Sequence, residues 1–356
     1  MEPVTHFLTG ACLGRAGFNR KTAYATLAMT LAAEAPDIDM LWGFRGPVAA
    51  LQHHRGITHS LLGAPIMALA VTGVVWLWHR WRQRVRGYHF QREGSPPIRW
   101  GLIWFFALLA DLSHIFLDWT TSYGVRPFFP FNAHWYAGSF VFLFDPILFA
   151  ALLLGLVAPA IFGMADREIG FRCPRFRGQR WAIFALSAAV MLWSWRWAEH
   201  RVAIHLLENQ PITAEAATRI SANPYPVDPL RWYVVVETKD TYRTAILNLH
   251  TGEKIERASE DTYYKPPITP AILAAERSWL GRVYLDWSKF PLVEESGTFG
   301  DLPGGGHDTQ VSFHDLRFTY DVLFWHGRSH PPLSGSVVVA PNGQIEAMEL
   351  DGRVQR

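Results

Sequence analysis

The chain is nearly devoid of cysteine: Cys12 and Cys173 are its only two in 356 residues. One lies in an apolar context and the other in a basic loop, so neither a disulfide framework nor a thiolate zinc site is expected. Any metal must be held by His, Asp or Glu. Net charge is also scarce, with 33 Lys and Arg against 31 Asp and Glu, a formal +2. The basic residues cluster in loops between apolar runs rather than along one face, which reads as membrane topology and leaves no nucleic acid as an expected partner. Residues Met1 to Gly10 lack the basic start and apolar core of a cleavable signal peptide, so the mature chain is expected to begin near Met1. No internal repeat is apparent.

What the first half does have is long apolar runs: Ser60 to Trp78, Trp100 to Leu117, Phe140 to Gly163 and Trp181 to Ala198. Each approaches or reaches the roughly 20 residues that a spanning helix needs. Tryptophans such as Trp76, Trp100, Trp181 and Trp197 sit toward their ends, where indoles favour the membrane interface. The link from His79 to Arg99 and the link from Met164 to Arg180 are arginine-rich and are expected in the cytoplasm. The link from Trp119 to Ser139 has Arg126 as its only strong base, which places it on the opposite side, together with everything after Ala198. The expected fold is therefore an all-α polytopic membrane domain over residues 1–198. A soluble, extracytoplasmic α+β domain follows over residues 199–356.

Within the first 36 residues, Thr5 to Gly14 and Thr22 to Ala35 are each too short to span comfortably. They read as a helical hairpin dipping into the membrane, with one longer imperfect span as the competing reading. In the second domain Thr213 to Ile220 and Pro270 to Leu280 look helical, and Arg231 to Glu237 with Tyr242 to Leu249 look like a hairpin around Lys239-Asp240. Val311 to Tyr320 and Gly335 to Leu350 look like strands, the latter turning at Asn342-Gly343, and Asp301 to Asp308 reads as a flexible glycine loop.

Four motifs could carry chemistry: Thr5-His6, Pro36-Asp37-Ile38-Asp39, His54-Arg55-Gly56-Ile57-Thr58-His59-Ser60, and His114-Ile115-Phe116-Leu117-Asp118. The topology brings the last three to one membrane face, and the hairpin adds His6. Zinc takes imidazole nitrogen and carboxylate oxygen and keeps an open position for water when catalytic, while mixed His/Asp sets also suit manganese or iron. On a helix His114 and Asp118 share a face, with Asp111 on the same stripe as a partner that could orient His114. Ionisable residues at membrane depth are costly, which makes Asp111, His114, Asp118 and Asp145 functional candidates; pairing with one another or helix capping, for Asp37 in particular, is the structural alternative. Arg55 could hold a phosphate or carboxylate bidentately, or serve in a structural ion pair. Asp37 is taken as a metal-ligand candidate beside Asp39, and His54 rather than His53 as another. His79 and His89 fall on the wrong side, and His307, His314, His326 and His330 read as exposed or structural.

At these motifs, from about Thr5 to Gly163, the sequence resembles the bacterial membrane-bound metal-dependent hydrolases of the YdjM-like group, described as LexA-binding inner-membrane hydrolases. That group is similar in motif order to zinc-dependent phospholipase C. Carried over, the resemblance implies that His6, Asp39, His59, His114 and Asp118 are metal ligands, with His54 and Asp145 filling later positions for which no certain counterpart exists. It implies a hydrolase whose metal activates water, with Asp39 or Asp118 accepting the proton, acting on a lipid or lipid-linked ester or phosphoester. A phosphohistidine lipid phosphatase would need a Pro-Ser-Gly-His motif that is lacking. A non-catalytic membrane anchor whose C-terminal domain binds a partner is the remaining alternative.

Overall fold

The computed structural model describes residues 1–86, 95–168, 178–209, 212–213, 215–226, 228–251, 255–299, 307–319 and 330–355. Within it the chain forms two compact units. One comprises Met1–Asp39 with Arg55–Ala198, the other Met40–His54 with Glu199–Arg356. The C-terminal unit thus includes a segment from the N-terminal half, which lies between the Asp37/Asp39 and Arg55/His59 motifs.

In the first unit, the Glu2 carboxylate accepts from the Val4 and Thr5 amides and Pro3 sits at the first helical position, which together start α1 (Pro3–Arg15). A one-turn 3-10 helix at Phe18–Arg20 reverses the chain into α2 (Ala25–Ala32). The two helices touch almost backbone to backbone: a Cβ on Gly10 would come 2.6 Å from the Met29 carbonyl oxygen, and one on Gly14 2.5 Å from the Thr26 Cα. At 13 and 8 residues, both helices are too short to span, and the first 36 residues form a helical hairpin rather than one long helix.

Two longer helices, α4 (Ala64–Arg86) and α5 (Trp100–Thr120), pack on this hairpin. Phe106, Ala107 and Ala110 of α5 meet Ala25, Met29, Ala32 and Ala33 of the α2 region and Ala68 and Val71 of α4. His79, expected in a loop, lies in α4 with its Nδ1 at 3.2 Å from the Tyr24 hydroxyl. Next come α6 (Pro146–Glu168) and α7 (Gln179–Asn209). Among the described residues, Trp100–Thr120 and Pro146–Asp166 are long and apolar enough to cross a membrane, and Pro47–His59 with Ala64–Val85 makes a third if taken as one broken span. The run Trp181 to Ala198 lies in α7 but is not among them, being interrupted by several tryptophans and by Arg196. The polytopic expectation is met in part, by two such helices among the described residues, or three with the broken span.

The second unit contains α3 (Pro47–His53) and two antiparallel meanders. The first runs β1 (Arg219–Pro224), β2 (Arg231–Glu237), β3 (Thr241–Asn248), β4 (Ile255–Tyr264). Then come α8 (Pro270–Arg277) and α9 (Trp279–Trp287), and a second sheet of β5 (Pro291–Phe299), β6 (Asp308–Asp315), β7 (Gly335–Val339), β8 (Ile345–Leu350) and β9 (Arg353–Val354). Among the described residues of the helix expected at Thr213 to Ile220 none is helical: the last ones open β1, where Ile220 pairs with Val236 and tertiary pairing overrides local propensity. The Asn342-Gly343 turn forms, with Gly343 at φ +83. Most of the expected glycine loop, residues 301–306, lies outside the described residues, as do His89 and His326.

Segment 40–54 is fastened within this unit. The Gln355 side chain accepts from the Val48 amide at 3.0 Å and donates to the Arg45 carbonyl at 2.9 Å, and Trp279 Nε1 donates to Gln52 Oε1 at 2.9 Å.

Candidate metal centre

An 11-residue 3-10 helix, Ala35–Arg45, carries Asp37 and Asp39. Such length is unusual for that conformation, whose hydrogen bonds are poorer than those of an α-helix. With three residues per turn, residues two apart point to different sides, so the two carboxylates take different partners. A second 3-10 turn, Ile57–His59, presents His59, and the last two turns of α5 present His114 and Asp118 at i, i+4.

Asp37, His59, His114 and Asp118 bring one ligand atom each to within 4.8 Å of one another. The Nε2 atoms of His59 and His114 stand 3.0 Å apart. Asp37 Oδ1 lies 3.4 Å from the first and 3.6 Å from the second, and Asp118 Oδ2 lies 3.4 and 3.5 Å from them. In a tetrahedral zinc site with bonds of about 2.0–2.1 Å, ligand atoms are about 3.4 Å apart.

The tautomers point the same way. His114 Nδ1 faces the Ala33 carbonyl oxygen at 2.7 Å, and a carbonyl only accepts, so Nδ1 holds the hydrogen. His59 Nδ1 faces the Asp39 carboxylate at 3.1 Å and the Thr58 hydroxyl at 3.1 Å, which assigns its hydrogen likewise. Both Nε2 atoms then present lone pairs to one point on which two carboxylate oxygens also converge. A proton would relieve one such pair, whereas a divalent cation satisfies all four atoms. Asp118 Oδ2 is buried with no hydrogen-bond partner among the described residues, as that arrangement requires.

The other expected site residues divide. Asp39 is not among the converging ligands; its Oδ2 accepts from the Arg55 amide at 2.8 Å and the Thr58 hydroxyl at 3.0 Å and orients His59 from behind. Arg55, with φ +55, donates Nη2 to Asp118 Oδ1 at 2.8 Å and Nη1 to the Gly124 carbonyl at 2.7 Å. Its partner is thus Asp118, a carboxylate of the converging group itself. His6 is fully buried, stacks on His114 with ring centroids 3.8 Å apart, and places Nε2 at 3.4 Å from Asp118 Oδ1. Neither ring nitrogen of His6 has a hydrogen-bond partner among the described residues.

His54 belongs to the segment counted with the C-terminal unit and is outside the group. Asp145 is outside it too: its Oδ1 accepts from the Ile147 and Leu148 amides and caps α6. Asp111 does not orient His114, whose Nδ1 is taken by Ala33; both Asp111 oxygens are buried without a partner among the described residues. The reading from sequence missed the Ala33 carbonyl, which no side-chain motif could signal. It also missed Arg126, whose Nε donates to the Arg55 carbonyl at 3.4 Å and whose guanidinium lies 4.5 Å from the Trp135 ring centroid. Its standing as the lone strong base of its link was the available signal.

These features define a membrane-inserted helical unit with a buried His/Asp group that could hold a metal ion, joined to a sheet-rich C-terminal unit. Residues 1–203 match the family described as YdjM inner membrane protein, and the chain belongs to that family. It is also 26% identical over 164 residues to the uncharacterized protein YfhP of Bacillus subtilis (strain 168), a match covering 44% of this chain and 45% of that protein, so the chain spans under half the length of that relative. No solved structure matches.

Proposed function

We propose that this protein is a metal-dependent hydrolase of the bacterial inner membrane, acting on a lipid or lipid-linked ester or phosphoester. The observation that carries the reading is the pair of Nε2 atoms 3.0 Å apart with two carboxylate oxygens closing on them. Asp37, His59, His114 and Asp118 would hold the ion, with zinc favoured by the donor set and manganese or iron also compatible. Such an ion supplies Lewis acidity and lowers the pKa of water toward 7.

The chain's own residues supply the rest. Asp39 fixes the His59 tautomer, and the Ala33 carbonyl fixes that of His114. Arg55 locks Asp118 Oδ1 and leaves Oδ2 facing the ligand group. His6, stacked on His114 with Nε2 3.4 Å from Asp118 Oδ1, is the nearest further donor, suited to ligate an ion or to accept a proton from water. In this reading the site is on the extracytoplasmic side, as the arginine-rich links suggest, and the C-terminal unit shares that side if α7 crosses the membrane.

The test is elemental analysis of the detergent-purified full chain. Roughly stoichiometric metal in the wild type, lost in His59→Ala and His114→Ala, is expected; undiminished metal in both variants overturns the reading.

A further inference from the structure

Two neighbouring loops, one of them carrying His59, are unusual for loops. Between Gly56 and Gly63 there is no Asp, Glu, Lys or Arg, and there is none between Pro127 and Ser139. Both are joined side by side, the Leu61 amide donating to the Pro127 carbonyl at 2.8 Å. Their exposed positions are apolar. Phe131 is 84% exposed, Ile38, between the two site aspartates, is 55% exposed, and Ile57, Leu61, Leu62 and Phe128 are close to half exposed. In a loop facing water such positions are normally polar, and contiguous exposed apolar patches mark an interaction surface.

The position of these residues identifies what covers them. Loop 57–63 leads directly into α4, and loop 121–131 leaves the end of the membrane-crossing helix α5. His114 lies only about 9 Å along the axis from the Thr120 end of α5, at 1.5 Å per residue, so the His/Asp group sits within the depth of that helix rather than beyond it. His134, Trp135 and Tyr136, in the same charge-free link, are amphipathic rings of the kind that settle at headgroup level.

We infer that Ile38, Ile57, Leu61, Leu62, Phe128 and Phe131 form an apolar rim set in the acyl region of one leaflet, so that the site is reached laterally from the bilayer. A lipid can keep its chains against this rim while its headgroup ester or phosphate reaches the His/Asp group. A soluble ester of the same headgroup lacks the anchor. The docking of the rim is independent of any reaction; its substrate consequence rests on the hydrolase reading.

The experiment uses the full chain with Cys12→Ala and Cys173→Ser, reconstituted in vesicles of phosphatidylethanolamine and phosphatidylglycerol. Ile38→Cys or Phe131→Cys is labelled with an environment-sensitive bimane, and Leu154→Cys, exposed on α6, calibrates the response of a residue in the lipid. Spin label on the lipid acyl chains is expected to quench the labels at 38 and 131 to within about twofold of the label at 154, with iodide quenching them severalfold less than a water-exposed position. A label quenched by iodide, or by neither agent, overturns the inference. Metal content of the labelled variants, measured in parallel, separates this outcome from failure of the metal reading, because the quenching does not depend on a bound ion.

Discussion

At the residue scale, Asp39 and His59 have separable jobs that a substitution series can distinguish. His59 offers Nε2 to the converging group, whereas Asp39 meets the far side of the ring, the Arg55 amide and the Thr58 hydroxyl. His59→Ala removes a ligand and should abolish tight binding. Asp39→Asn keeps shape but weakens the acceptor that fixes the tautomer, and partners of that kind typically alter metal affinity about 10–100-fold. Titration of the metal-stripped proteins with zinc should therefore rank wild type, Asp39→Asn and His59→Ala in that order. Equal loss in both variants would make Asp39 a ligand in its own right.

At the element scale, the α1–α2 hairpin positions His6 and the Ala33 carbonyl, and its geometry depends on two glycines in the contact. A methyl group at position 14 would meet the Thr26 backbone at 2.5 Å, and backbone cannot move aside as a side-chain tip can. Gly14→Ala should therefore cost about 1–3 kcal/mol by overpacking and lower the melting temperature in detergent. Gly101 in α5 has nothing within 4 Å of its Cβ position, so Gly101→Ala should be neutral or stabilise by up to about 1 kcal/mol through helix propensity. A common response to both would show that the close contact is not what matters. The adjoining 3-10 helix, Ala35–Arg45, turns Asp37 to one side and Asp39 to another, which a regular α-helix would do differently.

At the scale of the whole molecule, the C-terminal unit carries its own buried ion pair. Arg317 grips Asp315 through Nη2 at 2.7 Å and Nε at 3.0 Å, while the Ser288 hydroxyl and the Lys289 amide also donate to the carboxylate. Burial by itself would push the Asp315 carboxyl up, but Arg317 and these hydrogen bonds outweigh it, and it titrates below its ordinary value. A carboxyl depressed in the folded state contributes stability above its unfolded value of about 3.9, and that contribution is lost as pH falls through the folded value. Denaturant unfolding of the full chain, followed by Trp fluorescence, should thus show stability falling below about pH 4. Asp315→Asn should start less stable at neutral pH, because Arg317 loses its buried partner, and should show a flatter acid limb. An unchanged acid limb would place the acid sensitivity elsewhere.

What could be read along the chain was whatever depends on composition and short-range period. The apolar lengths of α5 and α6, the shortness of the first two helices, and the hairpin of β2 and β3 all followed from local rules. Asp118, four residues after His114, was placed beside it by helical geometry alone. Pairing and convergence could not be read in this way. Ile220 became a strand because Val236 lay opposite it, and Asp145 became a helix cap because its own chain turned back onto it. Asp37 rather than Asp39 faces the two Nε2 atoms because a 3-10 path, not a pattern in the residues, sets their directions. The Ala33 carbonyl, which sets the His114 tautomer, is a backbone atom that any residue possesses. Side-chain chemistry supplied the candidate ligands; the directions in which they point were decided by long-range packing and backbone geometry, neither of which is encoded residue by residue.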